Sequence, residues 1–331
     1  MSQDPITSLS VVIPCYDDLA EALRLADMAR DALRQDFRCQ CVVVQMNPSS
    51  APIPVPGCTR HQIVPCEKYS GLPAAKNLGL RASTGELVLY LFPGIRPEVN
   101  AIGRLAGQLQ RHTDWGAVSG RWNNRLGQAE KGYNIRRFPT FAALVFDVMF
   151  INKIMPGNRT TRRYKMHDFD YSTLIEAEHA NDCAFLSRRD LLLALGGFDE
   201  AYHFGWFDQV EMCRSLARAG RPVYFDPEAV FGSDDTAPLI NRILAGHYGD
   251  YHEDLSLYVR RHCKPWQRGF FPFAMTIGMA IRLAFSRILP HSARIRLLRH
   301  YRSYVSDDYI QSMSSSYAAF FRKHRNPRPT R

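Results

Sequence analysis

The feature that most constrains the fold is an alternation of short apolar runs and amphipathic segments in the N-terminal part of the chain. The runs SLSVVIPCY, CQCVVVQM, HQIVPC and ELVLYLF are rich in β-branched residues and have the length of buried strands. Segments with helical periodicity begin at Asp17 and at Pro73. This order predicts an α/β fold with a doubly wound, mostly parallel sheet. Because ligands of such sheets bind beyond the carboxyl ends of the strands, the loops after Ile13, Val44 and Leu91 should line one cleft.

The length and composition indicate a globular protein with one main domain. The 331 residues are 46% hydrophobic and 22% charged, which argues against a disordered or fibrous chain. We expect a main domain over 1–240, within which the irregular stretch 119–180 forms long variable loops, and a basic helical extension over 241–331. After the loops, NDCAFLSR predicts a strand, FDQVEMCRSLARAG a helix, and RPVYFDPEAVF a pair of strands.

The positive charge of the chain is concentrated in its C-terminal part. The formal net charge is +10, which favours anionic partners, but no nucleic-acid recognition motif is present and we expect no nucleic-acid partner. The apolar stretch Gly269–Pro290 is interrupted by Arg282 and Arg287, so it is a poor membrane span. At helical spacing, 269–302 is basic and amphipathic. It either packs on the main domain or makes a peripheral membrane contact.

The cysteines and the N-terminus predict a cytoplasmic protein. The eight cysteines include no C-x-x-C pair, which indicates reduced thiols. The first ten residues are polar and do not resemble a signal peptide. If 269–302 contacts lipid, the protein would lie at the inner face of the membrane.

Four blocks in order resemble family 2 inverting glycosyltransferases with the GT-A fold. They are VVIPCY, AAKNLGLRASTGELVLYL, LSRRDLLLALGGFDEAYHFGWFDQVEMCRSLARAG and VYFDPEAVF, and they cover roughly Ser8 to Phe231. With RRFPTFAALVFDVMFIN, they are most similar to the bacterial rhamnosyltransferase-like branch. The resemblance implies a UDP-, dTDP- or GDP-linked sugar donor at the strand ends. It also implies a glycan or lipid-linked glycan acceptor at the variable loops, and a role in polysaccharide assembly.

Several positions where the family carries charged groups are uncharged in this chain. Gln45 replaces the usual Asp at the end of the second strand and could still hydrogen-bond a base edge. Phe92 and Gly94 replace the usual acidic pair, and neither offers a side-chain oxygen to a hard cation. After the last strand, where one or two His are common, the chain reads GSDD at 232–235. The sequence therefore predicts no metal cofactor; a divalent ion such as Mn²⁺ or Mg²⁺ is not supported.

The block WFDQVEMC aligns with the family's catalytic W-F-E-D-V-D-F-C. Gln209 then occupies the place of the usual general base, and an amide cannot accept the proton of an acceptor hydroxyl. The base function must therefore fall to Asp208 or Glu211, or be absent.

The resemblance also implies a set of residues that bind the nucleotide sugar. They are Pro14, Tyr16, Gln45, Lys76, Asn77 and Arg96. Lys76 stands where the family commonly has Arg. Arg96 follows the degenerate metal motif by two residues, and its guanidinium could bind phosphate oxygens bidentately or be a surface loop charge. Further cations in the loops could assist: Arg136, Arg137, Arg159, Arg162 and Arg163.

Two functions from different classes stay open at the level of sequence. The first is an inverting, metal-independent glycosyltransferase that stabilises the leaving diphosphate with cationic side chains. The second is a catalytically inactive pseudo-glycosyltransferase that binds a glycan, a nucleotide or a partner transferase. The absent base and metal ligands favour the second, whereas the retained carboxylates favour the first.

Overall fold

The computed structural model describes residues 8–16, 18–33, 37–46, 61–66, 71–233 and 239–288. Its described residues belong to two compact units. The first unit draws on 1–138 and 165–236, and the second on 139–164 and 237–331. The second unit thus includes part of the predicted variable loops. None of the helices within the described ranges has the length and apolar character needed to cross a membrane.

The elements follow one another in the order β1 (Ser8–Cys15), α1 (Leu19–Asp31), β2 (Arg38–Gln45), β3 (Gln62–Pro65), α2 (Leu72–Ala82), β4 (Leu87–Leu91), β5 (Ile95–Pro97), α3 (Ala101–Arg111), β6 (Ala117–Trp122), β7 (Ile135–Arg136), α4 (Phe141–Val148), α5 (Ile151–Ile154), α6 (Arg159–Tyr164), β8 (Ile175–Ala177), β9 (His179–Ala180), β10 (Ala184–Arg188), α7 (Arg189–Ala194), α8 (Phe207–Arg218), β11 (Val223–Ser233), α9 (Leu239–His262) and α10 (Pro265–Ile288).

The first unit is built on a nine-stranded sheet. The strand order is β3-β2-β1-β4-β10-β6-β11-β5, and β8 pairs with β11 beside this path. The first four strands are parallel, as their apolar sequences and the intervening helices predict. Strand β10 is antiparallel to both β4 and β6, whereas β6 and β11 are parallel. The predicted α/β fold with a mostly parallel sheet is confirmed.

The stretch predicted as a pair of strands is a single strand, β11. Its register against β6 shifts between Asp226 and Val230, so the chain bends without reversing. The buried Asp226 carboxylate sits at this bend and accepts hydrogen bonds from Arg104 Nε at 2.9 Å and Gln108 Nε2 at 2.7 Å. Its other oxygen accepts the backbone N–H of Glu228 at 3.0 Å. The carboxylate therefore stabilises the bulge and ties it to α3.

The second unit contains the apolar segment FAALVFDVMFINKI. It forms two helices, α4 and α5, because Phe150 adopts a left-handed conformation with φ +65°. Thr140 caps α4 by accepting the N–H of Ala143 at 3.2 Å. Helix α10 passes so close to α4 that a Cβ at Gly278 would collide with the carbonyl of Val148. These contacts make α4 and α10 one packed pair.

Candidate active site

The carboxyl ends of the parallel strands bring several of the predicted binding residues to one edge of the sheet. Cys15 at the end of β1 pairs with Gln45 at the end of β2. Strand β4 lies beside β1 and ends at Leu91, immediately before Phe92. Tyr16 follows β1 and is 39% exposed, whereas Gln45 is buried. The structure thus brings together Pro14, Tyr16, Gln45 and Phe92.

The degenerate metal motif forms the turn between β4 and β5. Phe92 is buried, and Gly94 has φ +90°, a conformation that favours glycine. Beyond the turn, Arg96 on β5 pairs with Gly232 near the end of β11. The Phe92–Gly94 turn and the end of β11, two places where the resemblance implies charged or His side chains that this chain lacks, are therefore neighbours in the fold, although about 140 residues separate them in the sequence.

The described residues at this place do not fit a divalent metal ion. Phe92, Pro93, Gly94 and Gly232 have no side-chain oxygen, and Ser233 offers one hydroxyl. Hard divalent cations take several oxygen ligands, most often carboxylates. Within the part of the chain that the structure describes, no three His, Cys, Asp or Glu side chains lie close enough to hold a metal ion. The acidic residues at 234 and 235 lie outside the described residues.

Arg96 lies at the sheet edge beside Gly232. Its side chain is exposed, and a Cβ built on Gly232 would meet no atom of the described residues within 4 Å. On the other side of β11, the N–H of Asn123 donates to Phe231 O at 2.8 Å. An exposed guanidinium at the strand ends can bind an anion such as phosphate through two parallel hydrogen bonds.

Lys76 lies in the protein interior, between two carboxylates. Its side chain is fully buried, and Nζ is 2.5 Å from Asp208 Oδ2 and 3.1 Å from Asp182 Oδ2. Nζ also lies 4.2 Å from the centre of the Phe198 ring. Burial opposes the charge of Lys76, but the two carboxylates outweigh it and raise the pKa of the ammonium. Burial raises the pKa of Asp208, although Lys76 opposes this effect.

The predicted catalytic carboxylates are buried. Asp208 is fully buried in the ion pair with Lys76, so it would have to leave that pair to take a proton from a substrate. Glu211 is also buried and accepts a hydrogen bond from the Tyr202 hydroxyl at 3.0 Å. Gln209, at the place of the usual base, donates through Nε2 to Ala180 O at 3.3 Å. Neither carboxylate meets solvent as an accessible base would.

Asp182 completes this cluster and was not singled out from the sequence. Its side chain is 16% exposed, in contrast to the fully buried Asp208. The next strand begins at Ala184, which pairs with Leu91, so Asp182 lies just beyond the end of β4. Of the carboxylates at 182, 208 and 211, Asp182 is the most exposed. In the sequence, Asp182 is only an acidic residue two positions before a predicted strand. Without knowing that β10 pairs antiparallel with β4, this pattern does not predict that Asp182 lies in the site.

Asn77 binds the protein itself. Its Nδ2 donates to Phe198 O and to Glu200 Oε1, each at 2.8 Å, and its Oδ1 accepts the N–H of Phe198 at 2.8 Å. The side chain thereby holds the turn at GGFDE, where Gly197 has φ +75°. These hydrogen bonds use both ends of the Asn77 amide. A role of Asn77 in nucleotide binding stays a prediction.

An aromatic and cationic group lies next to the loop before β10. The guanidinium of Arg136 lies 4.2 Å from the centre of the Trp206 ring, and His179 packs edge-on against the same ring at 5.2 Å. His179 is buried, and this burial, together with the charges of Arg136 and Lys76, lowers its pKa to about 3. His179 is therefore neutral at physiological pH. Trp206 stays partly exposed and presents an indole beside Asp182's loop.

Comparisons with known proteins show the fold and nothing finer. No protein-family model and no curated protein matches the sequence. Among solved structures, the chain is similar to GalNAc-T7 with UDP, GalNAc and Mn²⁺, with a TM-score of 0.53 and 12% identity over 98% of this chain and 59% of that one. It thus spans less than two thirds of that structure.

Two further structures resemble the chain over most of their length. The mannosyltransferase PcManGT from Pyrobaculum calidifontis, in complex with GDP-Man and Mn²⁺, matches with a TM-score of 0.48 and 16% identity over 96% of this chain and 86% of that one. S. aureus TarS 1–349 matches with a TM-score of 0.45 and 12% identity over 95% and 92%. The sheet order and the similarity to GalNAc-T7 show that the chain has a GT-A fold. The assignment to family 2 and to its rhamnosyltransferase-like branch stays a prediction.

Proposed function

We propose that the protein is a nucleotide-sugar-dependent glycosyltransferase whose donor site works without a divalent metal. One observation carries this proposal: the Phe92–Gly94 turn and the end of β11 adjoin and offer the exposed Arg96 where metal ligands would be expected. A guanidinium can bind two phosphate oxygens and stabilise the negative charge that develops on a leaving diphosphate. The GT-A fold supports a nucleotide-sugar donor at this edge of the sheet.

The donor's parts can be assigned to the strand ends. In the proposal, Gln45 and Tyr16 contact the base of a UDP-, dTDP- or GDP-linked sugar, and Arg96 contacts the diphosphate. The acceptor, a glycan or lipid-linked glycan of polysaccharide assembly, would approach from the side of Trp206. Lys76 acts from the interior by holding Asp182 and Asp208, because its ammonium is fully buried between them.

For the chemical step we propose Asp182 as the general base, ahead of the buried Asp208 and Glu211. The acceptor hydroxyl gives its proton to the Asp182 carboxylate, and its oxygen forms a bond to the anomeric carbon of the donor sugar. The bond from that carbon to the diphosphate breaks, and the electron pair leaves with the nucleoside diphosphate. Attack opposite the leaving group would invert the anomeric configuration.

A pseudo-glycosyltransferase is the second candidate function. It is favoured by the amide of Gln209 at the usual base position and by the ion pair that keeps Asp208 from solvent. In this case the strand ends would bind a nucleotide, a glycan or a partner transferase without turnover.

Turnover by the full chain separates the two functions. The protein would be incubated in EDTA with UDP-, dTDP- and GDP-sugars, with and without glycan and lipid-linked glycan acceptors, and release of nucleoside diphosphate would be measured. We expect release of nucleoside diphosphate from one of the donors. Asp182→Asn should lower the rate of this release by at least about a hundredfold, which is the typical contribution of a general base. The exposed Asp190→Asn is the matched control. Nucleotide binding without release would establish the pseudoenzyme, and no binding would contradict both functions.

A further inference from the structure

A row of exposed aromatic side chains lies on α10 of the second unit. Trp266, Phe270 and Phe273 follow one another at spacings of four and three residues, so they share one side of the helix. Their exposures are 64%, 42% and 60%. We refer to these three residues as the aromatic stripe. A contiguous patch of large exposed aromatics is typical of an interaction site.

The stripe is held in place by buried residues on the other side of α10 and by the ring of Phe141. Phe271, Ala274 and Met275 are buried, and they anchor the helix within its unit. The ring of Phe141 on α4 lies 5.6 Å from that of Trp266 and 6.3 Å from that of Phe270. The aromatic stripe is therefore preorganised, because α10 packs within the second unit while Trp266, Phe270 and Phe273 stay exposed.

The charged residues of the segment that bears the stripe have a single sign. From position 255 to position 306 the sequence contains ten Lys and Arg residues and no Asp or Glu. Four of these cations precede or overlap the stripe and are exposed: Arg260, Arg261, Lys264 and Arg268. The stretch 289–302, which carries four more, lies outside the described residues. The segment that bears the stripe is thus both apolar and basic.

We propose that the aromatic stripe binds the interface of a membrane rich in anionic lipid. Trp and Phe partition into the head-group region of bilayers, and neighbouring Lys and Arg side chains gain attraction from anionic head groups. A second copy of the chain fits less well, because a symmetric contact would bring the cations of both copies together. The charge complementarity therefore selects lipid as the occupant.

Vesicle sedimentation of the full chain tests this proposal. The probes are phosphatidylcholine vesicles with and without phosphatidylglycerol, at low and at physiological salt. We expect binding to the anionic vesicles that weakens with salt and is lowered by about tenfold or more in Trp266→Ser/Phe270→Ser/Phe273→Ser. The control variant is Val99→Ser/Leu126→Ser/Leu174→Ser, which removes exposed apolar groups from the first unit. Circular dichroism checks that both variants fold.

Three results would overturn the proposal. One is wild-type protein that stays in the supernatant with every vesicle. Another is a stripe variant that sediments like the wild type. The last is a dimer, detected by analytical ultracentrifugation, that dissociates in the stripe variant but not in the control, because the stripe would then be a contact between protein copies.

Discussion

Replacement of Lys76 by Met tests the role of the buried cluster. The substitution keeps the side chain's length but removes the charge that lies 2.5 Å from Asp208, where both partners are fully buried. A carboxylate left in the interior without its cation typically costs a protein about 3–5 kcal/mol. Asp182 adds less to this cost because its side chain reaches solvent. We expect Lys76→Met to lower the free energy of unfolding by that amount at about pH 8.

The loss should depend on pH in a defined direction. Burial already raises the pKa of Asp208, and without Lys76 nothing in the pair opposes this. When the pKa of a carboxyl group is higher in the folded than in the unfolded protein, the folded state binds the proton more tightly. The resulting stabilisation is complete below the unfolded-state pKa and is lost as the pH rises through the folded-state pKa. Lys76→Met should therefore lose up to about 1.4 kcal/mol per pH unit above the ordinary range of Asp, until Asp208 is ionised.

Urea unfolding measured at about pH 5 and pH 8 provides the assay. Tryptophan fluorescence reports on the first unit, since three of the four tryptophans, Trp115, Trp122 and Trp206, lie there. The exposed Lys131→Met is the control, and Lys76→Met/Asp208→Asn should recover part of the loss because a neutral amide needs no counter-ion. A Lys76→Met variant within about 1 kcal/mol of the wild type at pH 8 would refute the reasoning, because buried pairs that lose one partner cost more than this.

Two further predictions concern the surroundings of the cluster. Gly196 and Gly197 both have positive φ, but a Cβ would meet no atom at Gly196 and would lie 2.4 Å from Asn77 Oδ1 at Gly197. Gly196→Ala should therefore lower the free energy of unfolding, measured in urea, by about 1–2 kcal/mol from backbone strain alone. Gly197→Ala should lower it clearly more. Equal losses would contradict the structural role of Asn77. His179 has its pKa lowered to about 3, so its contribution to stability is present above about pH 6.5 and is lost as the pH falls, by up to about 1.4 kcal/mol per unit. His179→Gln should flatten the pH dependence of unfolding below pH 6.5, and an unchanged slope would show that His179 does not titrate on unfolding.

The parallel half of the sheet was predictable because its signals are local. A single apolar run in the sequence corresponds to each of the strands β1, β2, β3 and β4. The segment between each strand and the next is long enough to connect two parallel strands. The antiparallel insertion of β10 between β4 and β6 was not predictable in this way. It depends on pairing between segments about 95 residues apart, for which the sequence carries no register signal.

The candidate site was also predictable only where the sequence signal is local. The sequence resemblance predicted uncharged residues at the strand ends, because Gln45, Phe92 and Gly94 lie at or just after the ends of predicted strands. The burial of Lys76 was not, since a lysine near the start of an amphipathic helix is usually solvated. Its partner Asp182 comes from a loop 106 residues away, and only the three-dimensional structure shows that they meet.

Calorimetric titration of the purified chain with UDP, dTDP and GDP tests the central claim most directly. Each nucleotide would be titrated in EDTA and in Mn²⁺, into the wild type, into Arg96→Ala and into Arg218→Ala, an exposed control at the end of α8. We expect one nucleotide to bind equally well in EDTA and in Mn²⁺, and Arg96→Ala alone to weaken its binding by about tenfold, the loss of one charge-assisted contact. Binding that requires Mn²⁺, or that Arg96→Ala leaves unchanged, would contradict a metal-free donor site.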